Sequence, residues 1–238
     1  MKKFTSIILA LLLVLSLAAC AGTKEGETTA PANISAPTSE QQTESHSENS
    51  ISQNSKILVA YFSYGENADL SVNADVSASA SIQMLNGKVT GNTGLVADYI
   101  VKATGADVFS IITKEKYPSS YDETINVGQA EKNNNVKPEI ANHIDNFDAY
   151  DTVFIGYPNW WYGMPMVMQS FFDEYDFSGK TIIPFCTSGG SAFSDSINDM
   201  KELEPNAIVI DNGLHIGASG AVGAEKQVQE WVDSLNIG

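Results

Sequence analysis

The chain has 238 residues and a formal net charge of −16, with 29 acidic residues against 13 lysines and no arginine. This charge argues against a nucleic-acid partner and against docking on an anionic lipid surface; it suits a basic protein partner, or only confers solubility. The two cysteines, Cys20 and Cys186, and three scattered histidines have no metal-ligand spacing. We therefore predict no metal site.

Residues 1–20 predict an export signal. Lys2 and Lys3 precede an apolar run over 7–17, which has signal-peptide length and is too short for a membrane span. The run ends in Leu17-Ala18-Ala19-Cys20, which resembles the cleavage box of bacterial lipoproteins. That resemblance implies cleavage before Cys20 and a lipid on its sulfur, with an ordinary signal peptide as the alternative. We expect a protein held at the extracytoplasmic side of the cell membrane by its lipid anchor only.

The remaining chain divides into a tether and one domain. Residues 21–55 are rich in Thr, Ser, Glu, Gln and Pro and have almost no aliphatic residues, so they predict a disordered tether. Residues 56–238 have the length of a single domain with a proper core. This domain holds ten lysines and 24 acidic residues, which leaves a net charge near −14.

Short apolar runs alternate with helical patterns along the domain. The runs predict five strands, at 57–62, 108–112, 152–157, 181–186 and 207–210. Pro184 removes a ladder donor within the fourth run, so this strand is expected to be irregular. Helices are predicted from Thr93 to Ala103, after Pro165, near Ser196 and before Leu235. The alternation predicts a doubly wound α/β sheet, whose ligands bind at the carboxyl ends of the strands.

The segment that precedes the first long helix predicts an anion site. It reads Thr90-Gly91-Asn92-Thr93, in which glycine and asparagine allow a tight backbone and the threonines add hydroxyl donors. A helix N-terminus with such donors suits a phosphate monoester. The alternative is a plain helix cap, which Thr and Asn also form.

The loops after the third and fourth strands predict the remainder of a site. Pro158-Asn159-Trp160-Trp161 precedes Gly163, and adjacent tryptophans of an extended segment point to opposite sides, so one can stack on a flat ligand. Both could equally be core or rim aromatics. Thr187-Ser188-Gly189-Gly190 brings two glycines that let the backbone approach a ligand and present N–H groups; a flexible turn is the alternative. Together the loops predict a phosphate cradle, an aromatic wall and a backbone edge at one place.

Several motifs resemble the flavodoxin family over 57–235. They are Ala60-Tyr61-Phe62-Ser63, Pro158-Asn159-Trp160-Trp161, Asp176-Phe177-Ser178-Gly179-Lys180, Pro184-Phe185 and Thr187-Ser188-Gly189-Gly190. The resemblance implies a five-stranded parallel sheet in the order 2-1-3-4-5, with FMN bound where that order reverses. It also implies one- and two-electron chemistry at the flavin, tuned by stacking, hydrogen bonds and charge.

The resemblance, joined to the loop analysis, assigns the cofactor-binding residues. They are Ser63, Thr90, Gly91, Asn92 and Thr93 for the phosphate, Pro158, Asn159, Trp160, Trp161 and Gly163 beside the ring, and Thr187, Ser188, Gly189 and Gly190 at its pyrimidine edge. No catalytic acid or base is implied. The chain departs from the family in one respect, because residues 64–89 separate Ser63 from the other phosphate residues. Loop closure tolerates this insert, which could equally cover the flavin or displace it.

Three functions fit these residues. The first is an electron-transfer protein with non-covalent FMN and a redox partner protein or small electron acceptor. The second is an FMN-dependent NAD(P)H:quinone-type reductase, although the chain lacks a dinucleotide fingerprint. The third is a flavin-free surface lipoprotein that binds another ligand, for which the insert is the best support.

Overall fold

A computed structural model of the chain describes residues 56–70, 75 and 81–237. The signal peptide, the lipidation site at Cys20 and the tether lie outside these residues and remain predictions. Within the described ranges, no helix has both the length and the apolar composition needed to cross a bilayer.

Eight strands are present in the described residues, in chain order β1 (Ile57–Phe62), β2 (Ile82–Leu85), β3 (Lys88–Gly91), β4 (Asp107–Ile111), β5 (Thr152–Pro158), β6 (Thr181–Ser188), β7 (Ile208–Val209) and β8 (Leu214–Gly217). The central sheet has the order β4-β1-β5-β6-β7, with β8 also paired to β6, and all its pairs are parallel. Counted over the five predicted strands, this is the order 2-1-3-4-5. The predicted topology is confirmed.

Helices cover both faces of the sheet. They are α1 (Tyr64–Asn67), α2 (Asn92–Thr104), α3 (Tyr121–Asn134), α4 (Met166–Glu174), α5 (Ser196–Leu203) and α6 (Glu225–Ser234), with 3-10 turns at Phe147–Ala149 and Ala218–Gly223. One apolar cluster joins Val96 of α2 and Val228 of α6 to Phe154 of the sheet. A second joins Phe171 of α4 and Met200 of α5 to the other face. The fold is therefore doubly wound, as predicted.

The expectation of an irregular strand at Pro184 was wrong, because β6 is continuous over eight residues. The neighbouring position of the sheet is divided instead, between β7 and β8. Ile210 N donates to Ile182 O at 2.9 Å, and alternate residues of a strand direct their backbone groups to the same side. Pro184 therefore faces the interval between β7 and β8, where its missing N–H breaks no ladder bond.

The insert between β1 and α2 is structured where it is described. Helix α1 follows Ser63 directly, and β2 and β3 form an antiparallel hairpin that runs into α2. Asn86 and Gly87 turn this hairpin with φ angles of 50° and 78°. Positive φ at both central residues is typical of a type I′ turn, for which Asn-Gly is the preferred pair. The Asn86-Gly87 pair is the sequence signal from which this hairpin could have been predicted.

Candidate functional site

A cleft of about 730 Å3 opens at the carboxyl ends of β1, β5 and β6. Eleven of the predicted binding residues line it: Ser63, Asn92, Thr93, Pro158, Asn159, Trp160, Trp161, Thr187, Ser188, Gly189 and Gly190. The three loops thus converge as the strand order requires. Thr90, Gly91 and Gly163 are not among the residues that line the cleft, although Gly91 and Gly163 are chain neighbours of lining residues.

Among the described residues, none that lines the cleft has a charged side chain. The lining consists of hydroxyl, amide, aromatic and small residues, although the domain around it is strongly acidic. A carboxylate in the cleft would repel a phosphate, and none of these lining residues has one. The Glu66 carboxylate lies outside the lining, beside the first turn of α2, where a Cβ on Gly94 would come within 2.8 Å of Glu66 Oε1. Among the described residues no cluster of metal-ligating side chains exists either.

One end of the cleft, the α2 end, consists of Ser63, Asn92 and Thr93. Helix α2 begins at Asn92, no side chain makes a capping hydrogen bond at its N-terminus, and its own first turn contains no acidic residue. Asn92 and Thr93 are 5% and 2% exposed, so this helix end points into the protein's own cleft and not into bulk solvent. Thr93 Oγ1 lies 2.8 Å from Thr187 Oγ1, which joins the loops after β3 and β6.

The Ser63 hydroxyl is buried without a hydrogen-bond partner among the described residues. Ser63 is 1% exposed and lines the cleft at the α2 end. Gly91 makes this arrangement possible, because a Cβ there would overlap Ser63 Oγ and approach Ser81 O to 2.9 Å. An unsatisfied buried hydroxyl is unfavourable by about 1–3 kcal/mol unless a ligand pairs with it.

Two residues of the insert hold Asn92 in place. Asn92 donates its backbone N–H to Ser81 O at 3.2 Å, and Gln83 Nε2 donates to Asn92 Oδ1 at 2.7 Å. Asn92 is therefore fixed by the hairpin, and two of its polar groups are committed there. The donors left for an anion at this end come from Ser63, Thr93 and the following turn of α2.

Thr90 points away from the cleft toward a carboxylate. Its hydroxyl donates to Glu66, which also accepts from Ser110 and, at 2.8 Å, from Tyr61. Burial, followed by the charge of Glu66, raises the pKa of Tyr61 well above its ordinary value. These bonds fasten α1 to β1, β3 and β4 beside the α2 end. Thr90 thus stabilises the residues next to the predicted phosphate site through Glu66. The prediction that Thr90 itself contacts the phosphate has no support in its position.

After β5, Trp160 to Gly163 form a tight turn, the aromatic end of the cleft. Trp160 N donates to Gly163 O at 2.9 Å and Gly163 N donates to Trp160 O at 3.1 Å. The central residues Trp161 and Tyr162 have φ angles of 52° and 61°. Large side chains rarely adopt this left-handed conformation, which costs on the order of 1–3 kcal/mol at each residue.

The two tryptophans divide as the sequence predicted, although through a turn and not an extended segment. Trp160 packs edge-on against Phe62 and Tyr117 at ring-centroid distances of 5.6 and 5.1 Å. Trp161 remains 37% exposed at the cleft, and its indole Nε1 donates to Ile125 O at 2.9 Å. The turn therefore presents the Trp161 ring, together with Tyr162, at the cleft's rim.

The loop 187–192 is organised by the Ser188 hydroxyl. Gly190 N and Ala192 N donate to Ser188 Oγ at 3.2 and 3.0 Å. Both lone pairs of the oxygen are then in use, so the hydroxyl proton is directed to His215 Nε2 at 2.9 Å. The Gly190 N–H therefore closes the turn in this structure, where the sequence analysis expected it to face a ligand.

Other residues of the lining were not foreseen. They are Tyr64, Ser81, Tyr121, Thr124, Ile125, Tyr162, Ser191 and Ala218. Three of them belong to the first turns of α3, a helix that the sequence analysis did not identify. Its signal was present, because Ser120 and Glu123 have the spacing of a capping box and Ser120 Oγ accepts from Glu123 N at 3.2 Å.

The residues fit the FMN that the family resemblance implies. Ser63, Thr93 and the N-terminus of α2 offer donors to a phosphate, and the lining residues around them are uncharged. The aromatic end offers a flat surface for a ring, and the volume lies within the usual range for cofactor sites.

Comparison with known proteins gives the same fold. A candidate flavoprotein from Bacteroides eggerthii is 28% identical, with a TM-score of 0.59 over 78% of this chain and 100% of that one. A second, from Bacteroides uniformis, is 23% identical, with a TM-score of 0.55 over 75% of this chain and 98% of that one, which shows the fold alone. A search of curated proteins found no significant match. The family model described as Flavodoxin matches residues 83–235. The chain therefore belongs to the flavodoxin family.

Proposed function

We propose that the chain binds FMN non-covalently in this cleft and transfers electrons between a redox partner and the flavin. One observation carries the proposal. The same cleft has an uncapped helix N-terminus with an unpartnered Ser63 hydroxyl and also an aromatic turn, and its described lining is uncharged. Few ligands other than a phosphorylated flat ring use both ends. Bound FMN would supply one- and two-electron chemistry.

Each element of the site has a separate task in this proposal. The hydroxyl groups of Ser63 and Thr93 donate hydrogen bonds to the phosphate oxygens, and the α2 dipole stabilises the negative charge of the phosphate. Trp161 and Tyr162 exclude water from one side of the ring. The loop 187–192, closed by Ser188, bounds the ring's polar edge. No side chain of the lining is assigned as an acid or base, because a proton taken up by a reduced flavin would come from solvent through the open cleft.

We further propose that the protein acts outside the cytoplasmic membrane, tethered by a lipid on Cys20. The support is the sequence Leu17-Ala18-Ala19-Cys20 after an apolar run. Labelled palmitate should be incorporated into the wild-type chain and lost in Cys20→Ala. Equal labelling of both would refute the anchor without touching the flavin proposal.

The flavin proposal is tested by purifying the full chain after incubation with FMN. We expect a yellow protein with one FMN per chain, and precipitation with acid should release the flavin into the supernatant. A colourless protein would favour the flavin-free alternative. Flavin that precipitates with the protein would show covalent attachment and contradict the non-covalent part of the proposal.

A further inference from the structure

The Ser188 hydroxyl requires an unprotonated nitrogen on His215. Gly190 N and Ala192 N both donate to Ser188 Oγ, at 3.2 and 3.0 Å, and a backbone N–H can only donate. The two lone pairs of the hydroxyl oxygen are thereby occupied, so its own proton is donated to His215 Nε2 at 2.9 Å. His215 is therefore neutral in this structure and carries its ring proton on Nδ1.

His215 lies outside the cleft and contacts the loop that bounds it. It is the second residue of β8, and it is partly buried. Its neighbours Leu214 and Ile216 join the apolar cluster around α2 and α6, so the His215 side chain points to the opposite face of the sheet. His215 is not among the described residues that line the cleft, and it can act on a ligand there only through Ser188.

The loop 187–192 contains a strained residue that a few bonds hold. Ala192 has a φ of 48°, a conformation that non-glycine residues seldom adopt. Its N–H donates to Ser188 Oγ, and its carbonyl accepts from Asn159 Nδ2 at 2.6 Å. A strained backbone persists only while its contacts hold it, so loss of the Ser188 bond should allow this segment to relax.

Protonation of His215 is incompatible with the closed loop. A proton on Nε2 would be a third external donor toward Ser188 Oγ, which has lone pairs for two. Either a backbone N–H of the loop must lose its acceptor, or the imidazole must turn away and leave the hydroxyl without one. Proton binding and loop closure therefore oppose each other, so closure is favoured as pH rises. Imidazole is the side chain that ordinarily changes its charge between about pH 5 and 8.

The other titratable groups around β8 are few. The strand packs against β6 and the 3-10 turn Ala218–Gly223, in which the only titratable residue is Cys186. Burial raises the pKa of the Cys186 thiol to about 12, so this group stays neutral. On the face to which His215 points, α5 and the residues next to it in space or sequence contribute Asp195, Asp199, Lys201, Glu202 and Asp211. Lys201 is paired with Asp211, and Asp199 lies beside Gly163.

We propose that neutral His215 is a positioning residue, which keeps the loop 187–192 closed through Ser188 and makes FMN binding weaken in acid. The inference rests on the proposed FMN binding and deepens it by assigning its regulation. A closed loop presents a fixed wall to the ligand, whereas a relaxed loop must be ordered again when the ligand binds. His215→Gln should preserve closure at every pH, because a glutamine oxygen can accept from Ser188 and does not titrate.

The first test needs no ligand. NMR of the full chain with 15N-labelled histidine should show, near pH 7.5, a proton on His215 Nδ1 and none on Nε2. On acidification to about pH 5, at least one of the Gly190 and Ala192 amides should lose protection from hydrogen exchange, and neither should lose it in His215→Gln. A proton on Nε2 near pH 7.5, or unchanged protection of both amides in the wild type, would overturn the inference.

The second test compares FMN dissociation constants of the wild type, His215→Gln and His143→Gln between about pH 5 and 8. The FMN phosphate itself changes charge near pH 6, and this adds the same pH dependence to all three proteins. His143→Gln is the matched control, because His143 is in a surface ion pair with Glu174. We expect similar affinities near pH 8, whereas near pH 5 the wild type and His143→Gln should bind roughly tenfold more weakly than His215→Gln.

The outcomes separate the two proposals. A ratio of wild-type to His215→Gln affinity that is the same at every pH would refute regulation by His215, even if both proteins bind FMN. Failure of the wild type to bind FMN at any pH would refute the proposed function, and the amide protection would then decide by itself whether His215 holds the loop.

Discussion

At the α2 end of the cleft the backbone follows ordinary conformations, whereas at the aromatic end two large residues, Trp161 and Tyr162, hold positive φ angles. The α2 end relies on Gly91 and on a helix N-terminus, both of which preorganise donors without strain. The aromatic end stores strain that contacts with α3 maintain, among them Lys132 Nζ to Trp161 O at 2.7 Å. The comparison teaches that an anion site can be built from regular structure, while presenting two exposed rings requires an unfavourable turn.

The largest expected effect is that of Gly91→Ala at the α2 end. A Cβ at this position would overlap the Ser63 hydroxyl and crowd Ser81 O, so the cradle must deform. We expect a loss of roughly 1–3 kcal/mol of unfolding free energy and about 100-fold weaker FMN binding, measured by denaturant titration and flavin fluorescence. Gly223→Ala, where a Cβ meets nothing within 4 Å, is the control. Equal behaviour of the two variants would contradict the assigned role of Gly91.

Ser63→Ala should separate binding from stability. Loss of a hydroxyl that pairs only with ligand should weaken FMN binding by roughly 10–100-fold, while the unfolding free energy without FMN stays equal or rises by up to about 1 kcal/mol. Ser110→Ala is the contrast, because that hydroxyl already donates to Glu66 and its removal should lower stability by about 1 kcal/mol. A loss of stability in Ser63→Ala would show that the hydroxyl has a protein partner.

At the aromatic end, the double variant Trp161→Asn with Tyr162→Gly should raise the stability of the protein, whereas Gly91→Ala lowers it. Both new residues tolerate positive φ, so the unfolding free energy without FMN should rise by roughly 1 kcal/mol after loss of the indole bond to Ile125. FMN affinity should fall by about tenfold because the stacking surface is gone. Tyr162→Gly alone should keep most of the affinity. A double variant that binds FMN as tightly as the wild type would show that Trp161 does not contribute to FMN binding.

The smallest effect concerns Glu131 of α3, behind the aromatic end. Burial raises the pKa of this carboxyl to about 7, against the opposing influence of the Tyr117 hydroxyl 3.2 Å away. Because the folded state holds the proton more tightly than the unfolded state, whose reference value is 4.5, stability should fall as pH rises from about 4.5 to about 7. Glu131→Gln should reduce this fall in thermal unfolding scans. An identical pH dependence in both proteins would contradict the raised pKa.

The sequence predicted the central sheet and most of its helices, and it missed α3, the β2–β3 hairpin and the strained residues. Apolar runs and helical periodicity located the strands and the order of the sheet, because burial between two helical layers imposes those patterns. The convergence of the three loops followed from that order. Positive φ at Trp161 could not be predicted, because no local propensity favours it; the backbone bonds between Trp160 and Gly163 and the contacts with α3 hold it. The Glu66 cluster was equally hidden, since Tyr61, Thr90 and Ser110 meet only after the sheet and the insert assemble.

The most direct test compares the affinities of the full chain for FMN and for riboflavin, which has the same ring and no phosphate. If the α2 end holds the phosphate, we expect FMN to bind roughly 100-fold more tightly, with the difference reduced to about tenfold or less in Ser63→Ala. Equal dissociation constants for the two flavins in the wild type, or no binding of either, would contradict the account.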